Sequence, residues 1–338
     1  MAVAEAELVK TGQDDLFQLA KGFYTTKALL ALWRMGLIER AAKGDLEVDE
    51  IAAEQSSDPN LLRPIFDYLV VRGFLERPEP GVYRLTERGA NAVPYCGYLS
   101  TMVGAYEPVF SHLEDVVRGR LVYGKDVLRS HEEMVRGLTA LEDRLMGTVA
   151  EVVRGAGASK MMDLGCGSAR MLTRICALQD GLQGVGVDRD PNSCAVARET
   201  VKDRGLEDRV TILQADAIDV ANLPRDVVGG VDMVTVMFLL HETLRQRGRG
   251  GTVRLMREIG ALVGKNGRLV MVEVSGNPDP KYRENLLFVP EYELLHEYTN
   301  QRLAPRPEWE AMVAEAGMSV EQMAPVDMCQ AFCLVAKP

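Results

Sequence analysis

The stretch that decides the fold of this chain is Met161-Met162-Asp163-Leu164-Gly165-Cys166-Gly167-Ser168-Ala169-Arg170. Apolar residues lead into an acid and two glycines, and apolar residues recur at helical spacing after Arg170. This order predicts a buried strand, a tight turn at its carboxyl end and a helix. Ligands bind at the carboxyl ends of such strands, where glycines let the backbone approach a ligand closely. The dinucleotide pattern G-x-G-x-x-G fails here, because Arg170 stands at the position of its third glycine.

Two further predicted strands lead to acidic residues. The run Gly184-Val185-Gly186-Val187 ends in Asp188, about 20 residues after the first turn, where an acid can hold ribose hydroxyls. A third strand, Val210 to Gln214, is followed by Asp216. Three such strand ends predict a single crevice for a nucleoside without phosphates.

This arrangement resembles the class I S-adenosylmethionine-dependent methyltransferases, whose first motif corresponds to Asp163 to Gly167. The resemblance covers roughly the second half of the chain. It implies an α/β fold with a Rossmann-like, mostly parallel seven-stranded sheet, and S-adenosylmethionine as cofactor. Ala169 is a departure, because the family often carries another glycine there. The residues expected to bind the cofactor are Asp163, Gly165, Gly167, Asp188, Arg189, Asp216, Ala217 and Met237.

Length and composition restrict the class of protein. At 338 residues the chain is long enough for two domains, and 39 basic against 49 acidic residues give a net charge of −10, which disfavours nucleic acid and anionic membranes as partners. No apolar run approaches the roughly 20 residues of a membrane helix, and the N-terminus lacks the apolar core of a signal peptide. The six cysteines form no C-x-x-C pair, which predicts reduced, mostly buried thiols in a cytoplasmic protein.

Residues 1–97 show the pattern of a winged helix. Apolar residues at helical spacing from Asp15 to Met35 are followed by Gly36, which ends a helix. Leu46 to Ala52 starts a second, short helix, and Asp58-Pro59-Asn60 begins a third. Two strand-like runs joined across Pro78 to Gly81 form the wing.

The third helix of this domain is a poor DNA reader. It offers Arg63 and Arg72, but its other residues are mainly apolar or acidic, whereas base and phosphate readers are Arg, Lys, Asn and Gln. The domain instead resembles the N-terminal dimerisation domain of small-molecule methyltransferases, which implies a homodimer with buried apolar faces.

Residues 98–157 are predicted to be a helical linker and active-site lid, and residues 158–338 form the catalytic domain. Arg118 and Arg120 lie in a loop-prone stretch of the linker. One interpretation is a solvated charge pair. The other is a clamp for a substrate carboxylate, since the fork of an arginine suits that group.

A fourth strand, Val231 to Val236, leads into Met237-Phe238-Leu239-Leu240-His241-Glu242. Relatives that methylate exocyclic amines usually carry an Asn/Asp-Pro-Pro-aromatic loop here, and its absence disfavours nucleic-acid or protein amines as substrates. Related O-methyltransferases carry a general-base histidine at the position of His241. A neutral imidazole can take a hydroxyl proton near pH 7.

His241 and Glu242, together with the distant His296, also form the ligand set of an open metal site with two histidines and one carboxylate. This set is similar to that of the 2-oxoacid C-methyltransferases of the phenylpyruvate and 2-ketoarginine type, in which these positions hold one metal. Some relatives have Asp where this chain has Glu242, so the ion, iron or zinc, stays open. Tyr298 and Tyr292 are candidates to orient or deprotonate the substrate.

The resemblance therefore implies methylation of the β-carbon of a small 2-oxoacid through a metal-chelated enolate, in amino-acid or natural-product metabolism. A metal ion bound to the keto and carboxylate oxygens acidifies that carbon as a Lewis acid. The alternative is a metal-free O-methyltransferase with His241 as base. A DNA-binding regulator that senses S-adenosylmethionine is the least favoured hypothesis.

Overall fold

The computed structural model describes residues 2–276, 289–326 and 331–338. The chain divides into two compact units. The first comprises the residues to Ser111 together with Arg129–Leu141, and the second comprises His112–Leu128 together with Glu142–Pro338. Residues 98–157, predicted to form a separate linker and lid, are thus shared between the two units. A lid role for them stays a prediction.

The first unit is mainly helical and contains a small wing. Gly36, with φ 72°, follows the long first helix and allows the chain to turn where an L side chain would be strained. Asp58 caps the fourth helix by accepting a hydrogen bond from Asn60 N at 2.8 Å. The elements are α1 (Ala2–Arg34), α2 (Leu37–Ala41), β1 (Leu46–Glu47), α3 (Val48–Glu54), α4 (Pro59–Val71), β2 (Leu75–Glu79), β3 (Val82–Leu85), α5 (Glu87–Ala92), α6 (Cys96–Leu99) and α7 (Glu107–Phe110).

This unit confirms the predicted first helix as α1 and the predicted third helix, capped by Asp58, as α4. It also confirms the wing, whose sheet has the strand order β1-β3-β2. Its core includes Phe66 and Tyr83, whose ring centroids are 5.0 Å apart. Helix α2 was not predicted, and α1 begins well before Asp15. The lack of clear apolar periodicity in the first turns of α1 and the shortness of α2 explain both differences.

Helix α1 exposes large apolar side chains within a single chain. Their spacing puts them along the helix at intervals of three, four and seven residues, and each is more than half exposed. The residues are Leu16, Phe17, Leu19, Phe23 and Tyr24.

The second unit has helices packed around a seven-stranded sheet of order β6-β5-β4-β7-β8-β10-β9. The strands β4 to β8 run parallel, and β10 is antiparallel to both β8 and β9. Helix α9 belongs to both units. The elements are α8 (Leu113–Val117), α9 (His131–Ala156), β4 (Lys160–Leu164), α10 (Arg170–Leu178), β5 (Gln183–Asp188), α11 (Pro191–Asp203), β6 (Val210–Gln214), α12 (Arg225–Val228), β7 (Met233–Met237), α13 (Leu240–Val263), β8 (Arg268–Val274), α14 (Val289–Glu297), α15 (Arg306–Glu315), β9 (Ser319–Pro325) and β10 (Ala331–Lys337).

The sheet confirms the predicted Rossmann-like architecture. The near-continuous apolar sequence of its central strands reflects burial on both faces, as parallel sheets require. Because the strands β4 to β8 are parallel, their carboxyl ends lie at one edge of the sheet, where the predicted cofactor and catalytic residues follow them.

Two other expectations can be checked in the described residues. None of their helices is long and apolar enough to cross a membrane. The five described cysteines are all buried and free, as predicted, and Cys329 lies outside the described residues.

Candidate active site

The turn after β4 is held by the end of β5. The amides of Gly165 and Cys166 donate to the carbonyl of Val187, at 2.8 and 3.1 Å. Gly165 and Gly167 have φ angles of 76° and 52°, which glycine adopts without strain. A Cβ atom at Gly167 would face open space. The turn therefore presents bare backbone at the carboxyl edge of the sheet, as a cradle for a nucleoside ligand requires.

Ala169 occupies the position where a glycine was expected. It has φ 54° and directly precedes α10, so an alanine here adopts a left-handed conformation that costs roughly 1–2 kcal/mol. Its side chain is fully buried. The turn therefore holds an alanine in a conformation that glycine adopts without strain.

Asp188 organises the neighbouring strand end. Its Oδ2 atom accepts from Gly167 N and its Oδ1 atom from Asp190 N, both at 2.9 Å. One carboxylate therefore connects the glycine turn to the start of α11. The half-buried Asp188 lies beside the turn, as a ribose-binding acid would, while the adjacent Arg189 is exposed.

The end of β6 places two more predicted residues. Asp216 accepts a hydrogen bond from Ile218 N at 3.2 Å, and its Oδ2 atom lies 3.8 Å from the Arg247 guanidinium. Ala217 is buried, and Met237, the last residue of β7, is half-buried. Strands β6 and β7 lie on either side of the β5–β4 pair in the sheet, and the contacts of these residues with the cofactor stay predictions.

Asp163 lies deeper than the other acids. It is 2% exposed, and its Oδ1 atom accepts a hydrogen bond from Thr235 on β7 at 2.7 Å. Burial is the main cause that raises the pKa of this carboxyl to about 6, and the hydrogen bond from Thr235 opposes that shift. The carboxyl group thus cross-links β4 and β7 beneath the turn.

A buried carboxylate positions His241. The Nδ1 atom of His241 lies 2.7 Å from Glu273 Oε2, and both side chains are buried. Glu273 Oε1 also accepts from Leu240 N and His241 N, at 2.8 and 3.3 Å. Since a carboxylate accepts, it holds the proton on Nδ1 and leaves the lone pair on Nε2.

The turn that leads into α13 explains this contact. Phe238 has φ 52°, an uncommon conformation for a bulky residue, and its amide donates to Val272 O at 2.9 Å. The chain thereby reverses beside β8, and the first amides of α13 point at Glu273. Such backbone strain is frequent at functional sites.

His296 adopts the same tautomer and lies beside His241. Its Nδ1 atom is 2.7 Å from the carbonyl oxygen of Tyr292, which can only accept. The ring centroids of His241 and His296 are 5.2 Å apart, in an edge-to-face arrangement. The structure therefore brings together two imidazoles that are 55 positions apart in the sequence.

Glu242 follows His241 in the sequence, and its carboxylate is hydrogen-bonded to a residue after α14. Its Oε1 atom accepts from Gln301 Nε2 at 2.8 Å. Within the described residues, no three His, Cys, Asp or Glu side chains are grouped closely enough to hold a metal ion. The pair of histidines is thus present, whereas the complete three-ligand set stays a prediction.

Arg118, which was predicted to bind a substrate carboxylate, is largely exposed and forms an ion pair with Glu114 at 2.9 Å. Arg120 pairs with Glu114 and Asp115. These contacts favour the solvated-charge interpretation.

Tyr298 follows α14, and the ring of Tyr292 packs against His296 at 4.2 Å between centroids. Substrate contacts for Arg118 and Tyr298 stay predictions.

Two family models match the chain in separate segments. A methyltransferase domain matches residues 162–286, and an O-methyltransferase dimerisation domain matches residues 17–93. The first match begins in β4 and covers the glycine turn, the strand-end acids and His241. The chain is an S-adenosylmethionine-dependent methyltransferase.

Relatives of this methyltransferase include a 2-ketoarginine methyltransferase and several O-methyltransferases. It is 29% identical over 312 residues to 2-ketoarginine methyltransferase of Streptomyces arginensis, covering 90% of this chain and 88% of the relative. It is 21% identical to the phenazine O-methyltransferase PhzM of Lysobacter antibioticus, covering 77% and 78%. The mitomycin 7-O-methyltransferase MmcR shares its fold, with a TM-score of 0.72, 18% identity, and 98% and 99% of the two chains covered.

Two site residues of the methyltransferase escaped prediction from sequence. Glu273 lies within the apolar strand Arg268–Val274, and an acid inside a buried strand is a signal that a partner is nearby. Gln301 offered no comparable signal, because its contact with Glu242 depends on how the chain turns after α14. Glu273 is hydrogen-bonded to His241 and Gln301 to Glu242, so each of the two missed residues contacts a predicted metal ligand.

Proposed function

We propose that the protein methylates the β-carbon of a small 2-oxoacid in amino-acid or natural-product metabolism, with one metal ion held by His241, Glu242 and His296. The observation that carries this proposal is the pairing of two buried imidazoles whose Nδ1 atoms both face acceptors. The similarity to a relative named 2-ketoarginine methyltransferase supports the substrate class.

The tautomers of the two histidines suit a metal. A metal-ligating histidine almost always donates its other ring N–H to a carboxylate, a carbonyl or water. His241 donates to Glu273, and His296 donates to the carbonyl of Tyr292. Each Nε2 atom then carries a lone pair, and the rings are close enough for both to contact one ion. A carboxylate from Glu242 would complete a ligand set typical of iron.

The proposed reaction needs a site for the 2-oxoacid and a site for S-adenosylmethionine. When bound, the ion would supply Lewis acidity that acidifies the β-carbon of a chelating 2-oxoacid. His241, Glu242 and His296 would hold the ion beside the bound 2-oxoacid. Gly165 to Gly167 and Asp188 hold S-adenosylmethionine at the neighbouring strand ends, so that proximity and orientation drive methyl transfer without a covalent enzyme intermediate.

Metal analysis with matched variants tests this proposal. We expect about one ion per chain, lost in His241→Ala, Glu242→Ala and His296→Ala. S-adenosylhomocysteine affinity should be kept, because most residues expected to bind the cofactor lie at the ends of β4, β5 and β6. The exposed His131, outside the proposed site, gives the control His131→Ala. Chelators should abolish turnover, and the β-carbon of the substrate should exchange deuterium with water. A protein without stoichiometric metal and with chelator-insensitive turnover would exclude the metal site.

A metal-free O-methyltransferase is the second candidate. The carboxylate of Glu273 orients His241 as acids orient general-base histidines, with the lone pair on Nε2 ready for a hydroxyl proton. Under this mechanism His241→Ala is inactive, His296→Ala is only impaired, and chelators have no effect. The similarity to relatives named as O-methyltransferases supports this second candidate.

We further propose a cytoplasmic homodimer assembled through the first unit. The exposed apolar residues of α1 lie within the segment that matches an O-methyltransferase dimerisation domain, and burying them would remove a large apolar patch from water. Leu19→Glu combined with Phe23→Glu should give monomers in sedimentation. The control Val196→Glu changes an exposed apolar residue of α11 and should leave the assembly intact. A wild-type monomer at micromolar concentration contradicts the proposal.

A further inference from the structure

Helix α13 is bent at a glycine shortly after His241. Gly248 has φ 65° and ψ −180°, a combination that essentially only glycine adopts. The hydroxyl of the buried Thr252 donates to the carbonyl of Gly248 at 3.1 Å and braces the bend. Each glycine inside a helix costs about 1 kcal/mol relative to alanine, and Gly250 and Gly251 follow Gly248 in the same helix. So costly a bend indicates a function for the residues beside it.

The bend brings Arg247 and Gly251 into close contact. A Cβ atom at Gly251 would lie 2.4 Å from Cβ of Arg247 and 3.6 Å from its Cγ. The first distance is shorter than two non-bonded carbon atoms approach in proteins, so only glycine leaves room for the arginine stem. A Cβ atom at Gly250, by contrast, would meet no described atom within 4 Å. Gly248 and Gly251 together therefore fix where the Arg247 side chain leaves the helix.

The guanidinium of Arg247 contacts the chain just after β6. Its Nη1 atom donates to the carbonyl of Ile218 at 3.1 Å, and its Nη2 atom lies 3.8 Å from Asp216 Oδ2. The amide of Ile218 in turn donates to Asp216 Oδ1 at 3.2 Å. Residues 215–218, here called the β6 loop, are therefore tied to α13 through one side chain.

Asp216 keeps acceptor capacity for a ligand. A carboxylate offers about four lone-pair positions. Among the described contacts, a backbone amide uses Oδ1, and the guanidinium lies beyond hydrogen-bond length from Oδ2. The Asp216 side chain is also 45% exposed. Arg247 thus holds the β6 loop without covering the carboxylate.

The order of the strands indicates which part of S-adenosylmethionine the β6 loop would meet. The sheet runs β6-β5-β4-β7, the ribose is expected at Asp188 on β5, and His241 follows β7. The sulfonium must face the methyl acceptor beside His241, so the adenine base extends the other way, toward β6. The amide of Ala215 donates to the carbonyl of Asp188 at 2.9 Å and joins the ribose and base positions.

We propose that Arg247 is a positioning residue, which holds the β6 loop so that Asp216 accepts a hydrogen bond from the exocyclic amine of adenine. Adenine presents this NH₂ group as a donor, and an ionised carboxylate only accepts. Arg247 would act through the loop and touch neither the cofactor nor the methyl acceptor. The inference rests on S-adenosylmethionine as cofactor and not on the metal site, so it holds for either candidate function.

Calorimetry with two ligands that differ only in the base tests this role. S-inosylhomocysteine carries a keto oxygen where S-adenosylhomocysteine carries the exocyclic amine, so the wild type should bind it more weakly. Arg247→Met keeps an unbranched stem and should weaken S-adenosylhomocysteine about 10-fold, the effect of one charge-assisted hydrogen bond, while S-inosylhomocysteine changes little. The control Arg249→Met removes an arginine of α13 that pairs with Glu315 at 2.5 Å, and it should bind both ligands like the wild type.

A second pair of variants tests the bend. Gly251→Ala places a Cβ atom against the arginine stem and should cause the same selective loss, whereas Gly250→Ala fills open space and should bind both ligands normally. Equal losses for both ligands in Arg247→Met would indicate a general structural effect and overturn the inference. So would an unchanged affinity for S-adenosylhomocysteine, or a wild type that does not distinguish the two ligands. A wild type that binds no Co²⁺, the probe for the proposed metal site, would instead exclude that site and leave this inference standing.

Discussion

Two regions at the carboxyl edge of the sheet are built in different ways. The region expected to bind the cofactor, here called the cofactor region, consists of the glycine turn after β4 and of acids that lie in or just after the ends of β4 to β6. The histidine region, around His241 and His296, consists of side chains held by residues from β8 and from the chain after α14. The glycine turn of the first region is encoded in adjacent residues, whereas the contacts of the second region form only when distant segments have packed together.

This difference predicts how the two regions respond to substitution. Changes in the histidine region should alter proton location and metal binding while the cofactor still binds. Changes in the cofactor region should lower cofactor affinity or alter stability while the histidine pair keeps its tautomers. The two regions meet at β7, whose Thr235 bonds to Asp163 and whose carboxyl end leads to His241.

The largest effect is expected for Glu273→Gln. A glutamine can accept from Leu240 N, but its NH₂ group would then face His241 Nδ1 and force the proton onto Nε2. His241 would lose both its ligand lone pair and its ability to act as base. We expect kcat to fall by about 10²–10⁴-fold, as when an oriented histidine is forced into the wrong tautomer, with S-adenosylhomocysteine affinity unchanged in calorimetry.

The control Glu258→Gln neutralises a half-buried acid of helix α13 that lies outside both regions, and it should keep activity. If Glu273→Gln lowers cofactor affinity as much as kcat, the two regions are not separable. If kcat is unchanged, the tautomer of His241 has no role in turnover.

The cofactor region was easier to predict from the sequence than the histidine region. The strand, turn and helix around Asp163 to Arg170 are encoded in adjacent residues, so the motif predicted the fold and the cofactor edge. His241 and His296 were predicted through resemblance, and the structure brings their rings together. Domain limits were harder to predict, because helix α9 continues through the boundary and periodicity alone cannot show where a helix changes its neighbours.

The residues that hold the histidine region were missed for a physical reason. Glu273 points at the amides of α13 only because the turn at Phe238 places them beside β8. Gln301 reaches Glu242 only after the left-handed turn at Asn300. Neither contact follows from local propensity, since both depend on tertiary placement of segments far apart in the chain.

The second prediction concerns Asp163 and the pH dependence of stability. Burial raises the pKa of this carboxyl from 3.8 to about 6 in the folded state. Between these values the folded protein holds a proton that the unfolded chain has released, so this group lowers stability as pH rises. The cost is complete above about pH 6 and amounts to about 3 kcal/mol.

Asp163→Asn removes this titration. The difference in free energy of unfolding, variant minus wild type, should increase by up to about 3 kcal/mol between pH 4 and pH 7. Denaturant titrations at several pH values measure it, and any constant cost of the amide cancels in the comparison. A difference that is flat with pH would mean that the Asp163 carboxyl ionises in the folded protein as easily as in water.

The smallest of these effects is expected for Asp188→Ala, and it tests whether the cofactor region is only local. This carboxylate holds the turn through Gly167 N and is placed to accept from ribose hydroxyls. Losing charged hydrogen bonds should weaken S-adenosylmethionine binding by about 1.5–3 kcal/mol, whereas the exposed Asp203→Ala should bind normally. Asp188→Asn keeps one acceptor oxygen and should fall between them. Co²⁺ affinity should be unaffected in all three variants, because the histidine region is held by Glu273 and Gln301. Calorimetry with each ligand separates the two outcomes, and unchanged cofactor affinity in Asp188→Ala would remove Asp188 from the binding site.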